Sequence, residues 1–505
     1  MPAFLSRIGL SGHERTENNR VRIERAPHQT FTMHAPAEAS KPQSAGGPQL
    51  VAVIAPLRID LGLGRPRWPG RILGPVPTLK DINLLCWLLF LAVLAVAFCI
   101  VVQGQRHNGQ DLDRDFVGFY GMGRILNDHP VERLYDYELQ QRVLREVHPL
   151  AEGKYGPIPY PPYVGLLFRP LAHMSYSAAY LFWLSISFAL FIGGLAIVNA
   201  RFFPDDPLRH SLIYCFALSF YPFLLGTIVN GQVSAIGFFA LALALREDDL
   251  KHAFRSGLAL SLLLYKPTLV VLLVPMLCFT RRLRTLLGMG IGVAALIVLA
   301  TVIEGPGVWR GYTHLLLNFG SGSAGVHGPS FLRLWKYLDA VSFSSSVPGG
   351  RSWIGIAILS ACGSWAAISL VNIWRKSAKD VGVDKRLLWA ATLTWTLLLN
   401  VYVPIYDSTL LVLSVIATAA VIRERRAQFT VIWISIFLSS WVTETVARQT
   451  GVQIMTLLIG ALGALQLAEL RKKRGKNVDQ ELILEPTVAN SAVCSPSTFP
   501  AKTAP

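Results

Sequence analysis

Three aspartates crowd one short stretch, Asp111-Leu-Asp113-Arg-Asp115-Phe116, just beyond a long apolar run of the 505-residue chain. Ionisable groups at a membrane face are usually there to bind or to react, and a deprotonated aspartate is a base able to take a proton from a hydroxyl. Polar groups break into apolar sequence at three further places: Asn230-Gly-Gln232, Lys266 within Leu-Leu-Leu-Tyr-Lys-Pro-Thr-Leu, and Tyr406-Asp407 within Val-Pro-Ile-Tyr-Asp. A lysine in such surroundings can face an anion, and side-chain amides can hydrogen-bond hydroxyl groups. A base together with a cation suits transfer of a group from an anionic leaving group to a hydroxyl.

Each of these residues also has a plainer reading. Asp111 and Asp113 compete with Asp115 for the base, and all three are equally readable as a solvated acidic loop. Lys266 either faces an anion, snorkels to the interface or pairs with a carboxylate such as Asp407. Asn230-Gly-Gln232 is also an ordinary turn signal. Arg124 and Arg169 either contact phosphate or face water and lipid headgroups.

Composition decides where these residues live. The chain is 52% hydrophobic and only 15% charged, with a mean hydropathy of +0.43. That is more apolar surface than one soluble core needs, so the expectation is an all-α polytopic membrane protein. The formal charge of +16 is spread in short clusters between apolar runs, which reads as topology rather than as a nucleic-acid surface. Five of the six cysteines lie inside apolar runs with no ligand spacing, and the histidines form no ligand pattern. No cofactor is expected, and a divalent ion would have only the Asp111/Asp113/Asp115 group to hold it. Residues 1–80 read as a disordered basic cytoplasmic tail, 81–470 as the membrane domain, and 471–505 as a second disordered cytoplasmic tail.

Apolar runs fall at about 84–103, 176–199, 211–229, 233–245, 285–303, 353–374, 387–403, 408–421, 428–446 and 452–469, with a broken one at 256–280. Arg65, Arg67, Arg71 and Lys80 precede the first run, which predicts a cytoplasmic N-terminus and an outer loop at 104–175. Arg255 and Arg281-Arg282-Leu-Arg284 bracket the broken run, so it must go out and return, reversing at Lys266-Pro267. With both termini cytoplasmic, Asp115, Asn230-Gly-Gln232, Lys266 and Tyr406-Asp407 gather on the extracytoplasmic side. Arg310, Arg333, Lys336 and Arg351 in the second outer loop, 304–352, run against the rule. In the first loop, Pro130 to Pro149 has an amphipathic helical pattern suited to the bilayer surface, followed by the rigid Pro157-Ile-Pro-Tyr-Pro-Pro162.

Taken in order, Asp115-Phe-x-x-Phe-Tyr120, Leu134-Tyr-Asp136, Tyr160-Pro-Pro162 with Pro170-Leu-Ala, Gly231-Gln232, Lys266-Pro267 and Tyr406-Asp407 resemble glycosyltransferase family 87 of the GT-C superfamily. The resemblance implies a GT-C-like bundle of about 10–13 transmembrane helices. It also implies inverting transfer of a hexose, mannose above all, from a polyprenyl phosphate to a glycan or lipid-linked acceptor. The plasma membrane is the expected location, with the site extracytoplasmic. A first-loop carboxylate is the expected base, which assigns that role to Asp115; Lys266, Asn230, Gln232, Tyr406, Asp407 and Arg124 are the expected donor-binding residues. Two alternatives stay open: the same fold acting on another polyprenyl-phosphate sugar, or a transporter or flippase without chemistry.

Overall fold

The computed structural model of the chain describes residues 79–106, 114–147, 158–318, 341, 353–377, 384–400, 403–450 and 452–489. The chain divides after Val76, and nearly all of the expected N-terminal tail lies outside the described residues. So do Asp111, Asp113, Arg333, Lys336 and Arg351.

Among the described residues the protein is helical and carries no strand, the architecture of an all-α polytopic membrane protein. A helix satisfies its own backbone donors and acceptors, which lipid cannot do. Tyr176–Phe202, Leu283–Glu304 and the Ile454–Lys472 part of the last helix are each long and apolar enough to cross a membrane. Pro207–Leu218 and Pro222–Val229 make a fourth such run, bent by 56° at the break. Other apolar pieces are shorter than a full crossing, among them Ala253–Tyr265, Pro267–Phe279 and Ile405–Val421. Among the described residues three helices, or four with the bent pair, thus have spanning length, against the roughly 10–13 expected; several of the other expected segments are shorter helices joined at breaks. Leu283 is 69% exposed and Val302 77%, and Leu287, Ile291 and Val298 lie bare on the same helix. That exposed apolar surface is what a lipid-facing helix presents.

The break at Lys266 is a reversal. Gly257 packs on the backbone of Thr285 and Met289, Gly288 on that of Phe254 and Leu258, and Gly292 on Ser261. Contacts that climb together along both chains mean that Ala253–Ser261 and Leu283–Glu304 run parallel, their backbones brought close by glycine. The intervening chain must therefore return to its starting level, as the flanking arginines required. Tyr176–Phe202 and Ser234–Asp249 run parallel as well, with Trp183 bonded to the Gly231 carbonyl near one end and Arg201 paired with Asp249 at the other.

Arginines from separate elements converge at that second end. Arg282 reaches Asp248 at 2.8 Å, Arg386 reaches Asp249 at 3.3 Å alongside Arg201, and the Trp389 indole donates to Asp248 at 2.8 Å. The ends of four segments are tied by two carboxylates. Gln232 and Ser234 lie at the opposite end of the Ser234–Asp249 helix.

The first loop contains the helices Arg114–Asp128, Tyr137–Val147 and Pro162–Phe168. Tyr137–Val147 carries the amphipathic pattern, but its apolar face does not meet lipid. Leu139, Val143 and Leu144 are buried against Val117, Met122 and Ile125, and against Val308 and Leu315 of the Gly307–Asn318 helix. Protein rather than bilayer covers the stripe. Arg169, weighed as a phosphate contact, is bonded at 2.8 Å to the buried carboxylate of Glu304 and through its Nε to Asn127 at 3.1 Å. It joins the first loop to the end of a membrane helix. The last helix continues to Ala489, past the point where composition reads as structureless. Its extension is rich in Arg, Lys, Gln, Glu and Leu, all good helix formers.

Candidate active site

Asp115 lies in the first turn of the Arg114–Asp128 helix, where a carboxylate is favoured by the helix dipole. The next residue anchors that end. The Phe116 amide donates to the Asn230 carbonyl at 3.0 Å, and the Phe116 ring packs among Tyr120, Phe168, Tyr176 and Tyr180. Asn230-Gly-Gln232 is held on neighbouring carbonyls too. The Trp183 indole donates to Gly231 at 2.9 Å and the Tyr180 hydroxyl to Val229. Gly231 has φ +68°, and a Cβ there would stand 2.5 Å from that of Phe116. Only glycine meets both demands.

Beneath this turn Pro222–Val229 is wound as a π-helix, and its distortion admits a neighbour. Gly226 lies against Tyr406, so closely that a Cβ would be 3.0 Å from the tyrosine Cβ. Thr227 also meets Thr409 at 3.1 Å. The segment Ile405–Leu410, which follows Pro404, is thereby docked on the turn that carries Gln232.

Lys266 occupies the break between two short 3-10 turns, Leu262–Tyr265 and Pro267–Val270. Its ammonium forms an ion pair with Asp407 and stands 5.2 Å from the Tyr406 ring centroid. Asp407 is fully buried and also accepts a hydrogen bond from the Ser234 hydroxyl at 2.9 Å. The structure therefore realises the pairing of Lys266 with Asp407. A buried carboxylate is tolerable only when so compensated.

Tyr160 links the two halves. Its hydroxyl donates to Gln232 Oε1 at 3.3 Å and is hydrogen-bonded to Tyr406. Burial pushes this phenol far above the ordinary tyrosine range, the negative charges of Asp407 and Asp115 push it further, and the Tyr406 and Gln232 bonds only partly offset them. It is a neutral hydroxyl at any physiological pH, in electrostatic reach of both carboxylates.

Asp115, Asn230, Gln232, Lys266, Tyr406 and Asp407 are thus brought together. Arg124 is not: it makes an exposed pair with Asp128 at 2.8 Å, one helical turn further on. Nine residues separate it from Asp115 on one helix, about two and a half turns, so the two point to opposite faces. Tyr160 and Ser234 are site members that the motif reading did not single out for chemistry. The signal for Ser234 was its place two residues after Gln232. Among the described residues no three His, Cys, Asp or Glu side chains are grouped to hold a metal.

Carboxylates, an ammonium, phenols and an amide are thus gathered in a bundle of apolar helices, a set of groups able to bind a polar, anionic ligand. Residues 159–404, just under half of the chain, match the family model described as glycosyltransferase family 87. The match supports a membrane glycosyltransferase and is consistent with a GT-C-like one. The matched segment contains Tyr160, Gln232 and Lys266 and ends three residues before Asp407. No curated protein and no solved structure matches the chain.

Proposed function

We propose that the protein transfers a hexose, mannose above all, from a polyprenyl phosphate to a glycan or lipid-linked acceptor at the extracytoplasmic face of the plasma membrane. Asp115 takes the proton from the acceptor hydroxyl, and the acceptor oxygen forms a bond to the anomeric carbon from the side opposite the phosphate. The bond from that carbon to the phosphate oxygen breaks, and polyprenyl phosphate leaves with the electron pair, inverting the sugar. A phosphate is a good leaving group, so no general acid is required.

The observation that supports this reading is that Asp115 and Asp407 both act on Tyr160, which is bonded to Gln232 and Tyr406, while residues 159–404, which include Tyr160, Gln232 and Lys266, match a glycosyltransferase family. Lys266 answers the charge of the leaving phosphate through the same ammonium that holds Asp407; an ammonium has three donors, so one carboxylate does not exhaust it. Gln232 and Tyr406 bond the sugar hydroxyls. The arginine-rich helix ends lie at the other side of the bundle, which by charge bias is the cytoplasmic one.

The test is sugar transfer in membranes expressing wild type or Asp115→Asn, with radiolabelled polyprenyl-phosphate mannose and a panel of glycan acceptors. Transfer that disappears in the variant supports both reaction and base. Transfer that survives moves the base elsewhere, and absence of transfer by wild type with every acceptor rejects the donor or the reaction.

A further inference from the structure

Tyr160 has more fixed around it than a connecting loop requires. Its ring packs on Phe119 with centroids 4.8 Å apart, its carbonyl accepts the Tyr135 hydroxyl at 2.7 Å, and Pro161 and Pro162 stiffen the chain that follows. Three residues after Tyr160, the Tyr163 hydroxyl donates to the carbonyl of Leu264 at 2.6 Å, two residues before Lys266. The first loop is therefore bonded to both the Gln232 side and the Lys266 side of the site. Tyr160 places its side-chain hydroxyl between them, on Gln232 and on Tyr406, with Asp115 and Asp407 both near enough for their charges to act on it.

We propose that Tyr160 is a positioning residue of the transferase: its phenol bridges Gln232 and Tyr406, and so fixes the separation between the base Asp115 and the Lys266/Asp407 pair across which the sugar and its phosphate must lie. The inference rests on the transfer reaction proposed above. The physical argument is that in-line displacement needs acceptor oxygen, anomeric carbon and leaving oxygen on one axis. Asp115 belongs to the first loop and Lys266 to the membrane bundle, so the two ends of that axis are carried by different parts of the chain. A misplacement of about 1 Å between such groups can cost on the order of a hundredfold in rate. A neutral phenol suits the task, because it bonds on either side without adding charge between two carboxylates. Phenylalanine would keep the ring on Phe119 and lose only the bridge.

The experiment uses full-length protein in membranes, assayed with polyprenyl-phosphate mannose and the acceptor that wild type uses. Wild type, Asp115→Asn, Tyr160→Phe, Tyr406→Phe and the double Tyr160→Phe/Tyr406→Phe are compared for kcat, donor KM and thermal midpoint. For Tyr160→Phe we expect kcat to fall roughly 10- to 100-fold, with donor KM and thermal midpoint close to wild type. The double variant should be no slower than the slower single, because both remove the same bridge. Full kcat in Tyr160→Phe, in an assay where Asp115→Asn is dead, overturns the positioning role and leaves the transfer reaction standing. A loss that tracks a lowered thermal midpoint, or losses that multiply in the double variant, overturns it as well. If wild type transfers no sugar, the reaction falls and the role of Tyr160 with it.

Discussion

The buried pair of Lys266 and Asp407 allows packing and chemistry to be separated. Asp407 has no exposed surface and receives both the ammonium and the Ser234 hydroxyl, while the Lys266 side chain is 14% exposed. Asp407→Ala leaves that ammonium in an apolar bundle with its counter-charge gone, and Ser234 without its acceptor. Removing one partner of a buried pair costs about 3–5 kcal/mol, a large part of the roughly 5–15 kcal/mol that holds a domain folded. Removing both charges at once, as Lys266→Met/Asp407→Leu, leaves no orphan ion and should recover most of the loss. Thermal unfolding in detergent micelles, followed by intrinsic fluorescence, should therefore rank the double variant well above Asp407→Ala. Under the proposed reaction sugar transfer should be lost in both, since the double variant keeps the fold but lacks the cation proposed to answer the phosphate. An Asp407→Ala protein as stable as wild type would refute the buried-pair argument. A double variant that is folded and fully active would reduce the pair to scaffold.

Gly231→Ala imposes left-handed backbone at φ +68° and a 2.5 Å approach to Phe116; it should cost about 1–2 kcal/mol from backbone alone and slow transfer further by shifting Asp115. Gly305→Ala is the control, having φ +80° with nothing within 4 Å, and should leave kcat intact. For Asp136, burial raises the pKa, but hydrogen bonds from Arg133 and from the Leu139 and Glu138 amides, with the Arg133 charge, hold it below the ordinary value. A depressed carboxylate stabilises above its unfolded pKa, about 3.9, and loses that contribution as pH falls through the folded value. The stability gap between wild type and Asp136→Asn should accordingly be flat from neutrality to about pH 5 and close below about pH 4; a gap that widens on acidification would contradict this. Arg124→Ala removes only an exposed pair, and transfer rates should stay within about twofold of wild type because such pairs contribute little; a large loss of activity would return Arg124 to the site.

Much of the bundle was legible because lipid imposes strong rules. The run at 256–280 could be read as an excursion and return, since the arginines at both ends demanded one side and Pro267 offered the bend. The Pro222 break was harder to read. Residues 211–229 look like one apolar run; Pro222 offered a break there, but no arginines bracket it to demand a reversal, and no residue pattern announces a π-helix. For the Tyr137–Val147 helix, periodicity gave the apolar face correctly and its partner wrongly. A hydrophobic stripe says that something apolar must cover it, not whether that is a bilayer or the Arg114–Asp128 helix. The separation of Arg124 from Asp115 was contained in the sequence, since nine positions along a helix turn a side chain to the far face.

The residues of the site share one property that ties local backbone to chemistry. Lys266 divides two 3-10 turns, Asp407 lies within another, Gln232 follows the π-helix, Tyr160 precedes two prolines and Asp115 begins a helix. Broken backbone within a membrane is tolerated only where protein encloses it or a cavity receives it. Depth makes the point quantitative. Ser234, bonded to Asp407, and Asp249, bonded to Arg201, open and close one helix, which puts the ion pair about 22 Å from the arginine layer. Tyr176, which packs on Phe116, stands about 37 Å from Arg201 along its own helix. The first distance is shorter and the second longer than the roughly 30 Å of a hydrocarbon layer. Under the proposed reaction, the ion pair is where the sugar phosphate would be met, and the acceptor hydroxyl would be met on the Asp115 side.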